Sequence, residues 1–256
     1  MIGRMSSDQI HQSGLDVILD AQKKLSRTQE ELASGKRLLT PADDPVATAQ
    51  IQSIRSELSR IETMQSNISR ASSELAMVED SVASVEGLLM RARELAVRGA
   101  NDSLSLQDRE IIATEIDALR EQLIAAANTQ SSDGDYIYAG YAVGAAPYTD
   151  AIVNATYTGD TGIRAINIAP GLTVNTRFPG EAVFGQGSAT TGQLNAFEAL
   201  AVLSEGLRGN TTEAITLLIN GTAATQDEAN SEAINISMQA LDTNLETVRS
   251  VRTQLG

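Results

Sequence analysis

The chain has 256 residues, with 42% hydrophobic but only 3% aromatic side chains and no Trp; 33 Asp and Glu against 19 Lys and Arg give a formal charge of -14. So little aromatic volume does not suit the core of an ordinary globular enzyme, and the acidity argues against nucleic acid or an anionic membrane surface as partners. The absence of cysteine excludes disulfides, zinc–thiolate sites and cysteine nucleophiles.

No run approaches the ~20 apolar residues of a membrane span. Residues 1 to 13 lack an apolar h-region, so no cleavable signal peptide is visible and export would use a route that reads no such signal.

Residues 10 to 33 carry the first helical pattern. Ile18, Leu25 and Leu32 are seven apart, with Leu15 and Ala21 on the same side and Gln22 and Gln29 interrupting the stripe. Such a stripe is marginal alone and needs a partner helix. Gly35 stops it, and Lys36 and Arg37 form a small basic spot. TPADDP (40 to 45) is a turn, with Asp44 placed to cap the next helix and Pro45 at its first position.

Residues 45 to 98 organise the chain. Ile54, Ile61, Ile68, Leu75, Val82, Leu89 and Ala96 recur every seven residues, with Ile51, Leu58, Ala71, Val78, Val85 and Ala92 between them. This predicts one helix packed against partners along its length, with a stammer at Ile61, Met64 and Ile68. At 1.5 Å per residue it would be ~80 Å long, which suits a rod better than a compact globule. Gly99 is expected to end it as a left-handed turn residue.

Ser105 and Asp108 make an S-x-x-D start for a third helix reaching about Asn128, with Ile112, Ile116, Leu119, Leu123 and Ala126 on one face. The short loop before it predicts an antiparallel pair sharing one seam.

From about Asp135 to Phe184 helical periodicity disappears, and seven of the eight aromatic residues fall here. YIYAGY (136 to 141) reads as a short strand and turn. Residues 152 to 169 read as a hairpin, with Val153, Ala155 and Tyr157 alternating before the GDTG turn (159 to 162) and LTVNT (172 to 176) as a further strand. Helicity returns at about 191 with an amphipathic helix ending at Gly209, then a short helix over 211 to 220. A heptad-like helix follows from 222 to 256, carrying Ile234, Leu241, Val248 and Leu255.

The fold class is therefore mainly α with an inserted β domain: an elongated antiparallel helical rod with a small β-rich head. The expected divisions are 1–44, a terminal-helix segment; 45–134, the first part of the rod; 135–190, the β-rich outer domain; and 191–256, the helical return.

Little in the chain suggests catalysis. His11 is the one histidine and has no Cys or second His to join it. Asp43 and Asp44 read as helix-capping residues rather than metal ligands, and GDTG lacks the Lys-Ser/Thr of a phosphate loop. No cofactor and no metal are expected. Glu94, Asp102, Asp108 and Glu110 interleave with Arg91, Arg93, Arg98 and Arg109 near the turn between the second and third helices, as a solvated surface or a subunit contact would.

Two segments carry a resemblance. LASGKRLLTPADDPVATAQ (32 to 50) and RARELAVRGANDSLSLQDREIIATEIDALREQL (91 to 123) resemble N-terminal motifs of the bacterial flagellins. DDPVA (43 to 47), GDYIYAGY (134 to 141), YTGDTG (157 to 162) and the terminal ETVRSVRTQLG resemble the branch of that family that joins hook to filament, and the first two point away from a filament-forming flagellin. The resemblance implies an exported structural subunit of the flagellum, associating with copies of itself in a ring or tube between hook-associated protein 1 and the first flagellins. It also implies a further helix beyond residue 256 pairing with the N-terminal one, and an export chaperone engaging that C-terminal region. Arg91, Arg93, Glu94, Arg98, Asp108 and Arg109 fall in what the resemblance implies is a lateral packing surface, with Arg98 where flagellins often carry Gln.

Overall fold

The computed structural model describes residues 7–101, 103–149, 156–187, 193–211 and 225–255, with side chains from residue 11 onward. Its elements in order are α1 (Ser7–Ser34), α2 (Pro45–Gly99), α3 (Leu106–Ala127), β1 (Arg164–Ala169), β2 (Leu172–Arg177), α4 (Gly180–Phe184), α5 (Ala196–Arg208) and α6 (Gln226–Leu255). The chain is mainly helical with one small antiparallel sheet. It divides into two compact units, Met1–Thr63 and Met64–Gly256.

The first unit holds α1, a turn and the start of α2. Gly35 leaves α1 with φ 65°, the left-handed conformation that closes a helix end. The two adjacent aspartates divide their work. Asp44 Oδ1 accepts the Ala47 N–H at 2.9 Å and caps α2 ahead of Pro45. Asp43 does not cap; it ties the turn to α1 instead. Its Oδ2 accepts the N–H groups of Leu39 and Thr40, while Arg27 reaches its Oδ1 at 3.1 Å. These contacts, the Thr40 N–H foremost, hold its carboxyl below the usual carboxylate range.

The second unit is built round α5. The sequence AFEALAVLSEGL is apolar on nearly every side, and all but Glu205 and Arg208 of this helix is buried. It is thus the amphipathic helix expected, but a central one, with Glu198 and Ser204 buried as well. Asn195 caps it by accepting the N–H groups of Phe197 and Glu198, and Glu198 reaches back to the Asn195 N–H at 3.0 Å. Glu198 is only 3% exposed, and desolvation raises its pKa against the opposing pull of the Asn195 N–H. A raised folded-state pKa means its charged form costs stability as pH rises above the unfolded value. Glu198→Gln keeps the reciprocal cap and removes the buried charge, so the thermal midpoint at pH 7 is expected to stay level or rise, with the gain vanishing near pH 4 in a melting series.

The helices run antiparallel to their neighbours. Going along α2 from Glu86 to Arg93, the α6 partner moves back from Arg249 and Arg252 to Asp242. The end of α5 lies at the start of α3, where Arg208 meets Glu110 and Asp117. The start of α5 lies at the end of α3, where Asn128 and Phe197 both meet Tyr148. Gly206 of α5 approaches α6 so closely that a Cβ there would lie 3.1 Å from the Ala233 Cβ.

Gly99 corrects a sequence expectation. It stays helical as the last residue of α2 and does not take the left-handed turn. Its smallness serves packing, since a Cβ there would stand 2.6 Å from the buried Leu207 side chain. The expected cap at Ser105 holds in both directions: its Oγ accepts the Asp108 N–H at 3.2 Å, and Asp108 accepts the Ser105 N–H.

The β segment differs most from expectation. YIYAGY forms turns rather than a strand, with Ile137, Tyr138 and Ala139 buried. The hairpin lies later, pairing Arg164 with Arg177 and Ala169 with Leu172. Its turn is Pro170-Gly171, with Gly171 at φ 77°, the Pro-Gly placement that a type II turn takes. GDTG cannot serve as that turn because the Asp160 carboxylate has captured the backbone. It accepts the Tyr141 N–H at 3.0 Å and the Gly162 N–H at 2.7 Å, which depresses its pKa. Val153, Ala155 and, beyond Thr211, the helix expected over 211 to 220 lie outside the described residues.

The aromatics of this segment enter the same core as the helices. Tyr148 packs on Phe197 with ring centroids 4.6 Å apart and on Phe184 at 5.4 Å, while Phe184 also meets Phe197 at 5.1 Å and Tyr138 at 5.2 Å. The Tyr138 hydroxyl donates to Ser81 on α2 at 2.9 Å, and burial pushes its pKa up to about 12.

Candidate assembly surface

The heptad stripe of α2 has two fates. Val78, Val82, Val85, Leu89, Ala92 and Ala96 are buried, and so are Ile116 and Leu123 of α3 and Leu241 and Val248 of α6. Leu75 is half-buried. Ile54, Ile61 and Ile68 are exposed at 67%, 42% and 49%, which corrects the expectation that they too sit in a core seam of the chain. Residues of α2 are fully buried only from Ala71 onward, so the same periodicity meets a core at one end and mostly solvent at the other.

α1 shows the same exposure. Leu15, Val17, Ile18, Leu19, Leu25 and Leu32 are each more than half exposed. A solvated helix ordinarily confines such residues to a covered stripe, and on α1 and the first half of α2 that stripe is open. His11 is exposed on α1. Among the described residues no three His, Asp or Glu groups gather to hold a metal, and no helix is long and apolar enough to cross a membrane.

The charged residues near the α2–α3 turn are engaged within the chain. Arg91 pairs with Glu94 at 3.1 Å and with Glu115 of α3 at 2.6 Å, and Arg93 pairs with Asp242 of α6. Asp108 belongs to the α3 cap, Arg109 reaches the Asn101 carbonyl at 3.3 Å, and Arg98 is exposed. Arg91 and Arg93 therefore tie α2 to α3 and α6, whatever further contact they make.

Sequence reasoning passed over Glu86. It receives Arg249 and Arg252, each at 2.9 Å, and binds α6 to α2. The Arg249 hydrogen bond, seconded by Arg252, holds its carboxyl below the usual range against an opposing desolvation. The stabilisation is present above the ordinary carboxylate pKa and fades as pH falls through the depressed folded value. Because both arginines are half exposed, a Glu86→Gln, Arg249→Gln double-mutant cycle by urea unfolding is expected to give a coupling of about 0.2–1 kcal/mol at pH 7, shrinking with added salt.

Sequence reasoning also passed over Arg177, at the open end of the hairpin. Only 2% of its side chain is exposed, yet it carries a charge, lying 3.6 Å from Glu74 of α2 and 3.3 Å from Asp135. A lone Arg in a strand of alternating polarity gives no signal of such burial. The partners lie some 40 and 100 residues away in sequence, a separation that no local pattern reveals.

Residues 6–143, more than half of the chain, match the family of the bacterial flagellin N-terminal helical region. The chain belongs to the bacterial flagellin family. Within that family it is similar to flagellar hook-associated protein 3 of Salmonella typhimurium, 25% identical over 99% of this chain and 79% of that protein. It is also similar to flagellar hook-associated protein 3 of Escherichia coli K12, 31% identical over 57% of this chain. The chain spans 46% of the length of that second relative. In fold it resembles the crystal structure of the flagellar junction protein FlgL from Legionella pneumophila, with a TM-score of 0.64 and 20% identity over 83% of this chain and 93% of that one.

Proposed function

We propose that this chain is a structural adaptor subunit of the bacterial flagellum, joining hook to filament rather than catalysing a reaction. The observation that carries the reading is the uncovered pair of apolar stripes, Leu15 to Leu32 on α1 and Ile51 to Ile68 on α2. A monomer that leaves so much helical surface bare is suited to bury it against neighbours of like construction. The likeness to hook-associated protein 3 over nearly the whole chain supports a place at the junction. Its partners there are further copies of itself, hook-associated protein 1 on the hook side and flagellin on the filament side. Export follows the flagellar route, outside the cell.

Deleting the gene in the source bacterium tests this. Flagellin shed as monomer into the medium, with hooks bare of filament, is the expected outcome. Filaments that remain attached would overturn the junction role, and long filaments of the purified chain after salting-out would favour a filament-forming flagellin. Bare helical surface also predicts that limited proteolysis of the monomer cuts first before residue 40, while 71–127 resists.

A further inference from the structure

The β1–β2 hairpin lies along the middle of α2, held there unevenly. At its open end Arg164 and Arg177 face each other across the two strands, and Asp135 sits between them at 2.9 and 3.3 Å. Arg177 also reaches Glu74 of α2, whose buried Oε2 has no hydrogen bond. Arg70 extends the cluster, at 3.4 Å from Glu74 and 3.9 Å from the exposed Asp133. Three guanidiniums thus face three carboxylates, drawn from α2, the turn before Tyr136 and the hairpin. Further along, one hydrogen bond joins hairpin to helix, from the Asn67 side-chain amide to the Asn167 carbonyl at 2.9 Å.

Between those two fastenings the packing is open. Ile168 and Val174 of the hairpin and Ile68, Ala71 and Leu75 of α2 line an apolar groove of about 340 Å³, with Ser72 and Glu79 at its rim. Apolar faces that meet without filling the space between them contribute little adhesion. The chain on either side of the hairpin is fixed, by Asp160 and Tyr157 before it and by the buried Phe178 after it.

We propose that the hairpin is a movable strap over the apolar stripe of α2, hinged where its two strands join the rest of the chain and locked at that hinge by the buried Arg177 between Glu74 and Asp135. The lock is electrostatic: Arg177 lies 3.6 Å from Glu74 and 3.3 Å from Asp135. A charge as enclosed as that of Arg177 is held in place only while its carboxylates are ionised. When the lock opens, Arg177 regains water, the strap swings and Ala71 and Leu75 are bared, extending the stripe already open at Ile68. Arg164 keeps the Asp135 carboxyl below the usual range, with Arg177 adding to it, so at neutral pH the lock is closed. This inference concerns the single chain and stands whether or not the junction reading does.

Hydrogen exchange followed by mass spectrometry on the purified chain tests it, using Asp135→Asn and Arg177→Met. Both variants are expected to lose tenfold or more of the protection of 164–177 and 66–76, while 112–124 and 196–208 keep theirs. The chain has no cysteine, so Asn67→Cys and Asn167→Cys can be joined cleanly by a short bis-maleimide in the Asp135→Asn background. That staple is expected to restore protection over both segments. Unchanged exchange of the hairpin in Asp135→Asn, loss of protection everywhere at once, or loss that persists under the staple would each overturn the proposal. Should Arg177→Met fail to fold, Asp135→Asn and its stapled form decide alone.

Discussion

Replacing Phe197 with alanine is expected to destabilise the chain by about 3–5 kcal/mol, read as the shift in the urea midpoint at unchanged slope. The side chain is fully buried in the first turn of α5 and stacks against Tyr148 and Phe184 at 4.6 and 5.1 Å. Its removal takes away apolar burial, leaves a cavity between rings that cannot collapse together, and forfeits about 0.5–1.5 kcal/mol for each aromatic contact. The cap is not at issue, since Asn195 binds the backbone N–H of residue 197, which alanine keeps. Phe197→Leu fills most of the space and is expected to cost under half as much. A loss below about 1 kcal/mol in the alanine variant would show that the aromatic cluster is not the centre of the core.

A second large effect is expected at Leu89, and its contrast with Ile54 matters more than its size. Both residues stand on one heptad stripe, five repeats apart. Leu89 is completely buried in the core, and Leu89→Ala should cost about 2–5 kcal/mol in the monomer. Ile54 is two-thirds exposed, and Ile54→Ala should change monomer stability by less than about 0.5 kcal/mol. Assembly should reverse the ranking: at equal fractions folded, Ile54→Ala is expected to impair co-sedimentation into oligomers while Leu89→Ala spares it. Equal costs in the monomer would mean that α2 is covered along its whole length in solution.

This contrast shows what periodicity can tell. Asp44-Pro45 and Gly99 located the ends of α2 to within a residue, and the seven-residue spacing joined them into one helix, because helical geometry alone sets where Ile54 and Leu89 point. It could not say which of them is covered, because that depends on elements far along the chain. The Ser105–Asp108 cap was legible because both partners are local. Asn195 and Glu198 form the same device, and their N-x-x-E spacing was there to be read just before an apolar run. Gly99 misled because a glycine after a long helix can mark either a turn or a close approach, and only the position of Leu207 decides. The hairpin was displaced because GDTG and Pro170-Gly171 are both good turn sequences, and the Asp160 side chain commits the first to another task. Arg177 lay beyond reach, since its burial depends on three segments meeting.

The placement of the aromatic rings determines how this molecule looks to light. With no Trp, its ultraviolet absorbance and emission come from five tyrosines, all between positions 136 and 157, and every phenylalanine lies between 178 and 197. A fluorescence melt therefore watches one neighbourhood around Tyr148, touching α2 only where Tyr138 meets Ser81, and is blind to α1 and to the exposed first half of α2. Circular dichroism at 222 nm, which weighs every helix, is expected to begin its descent at lower denaturant than tyrosine emission. The gap between the two curves is a label-free gauge of how loosely the uncovered helices are held until a neighbour covers them.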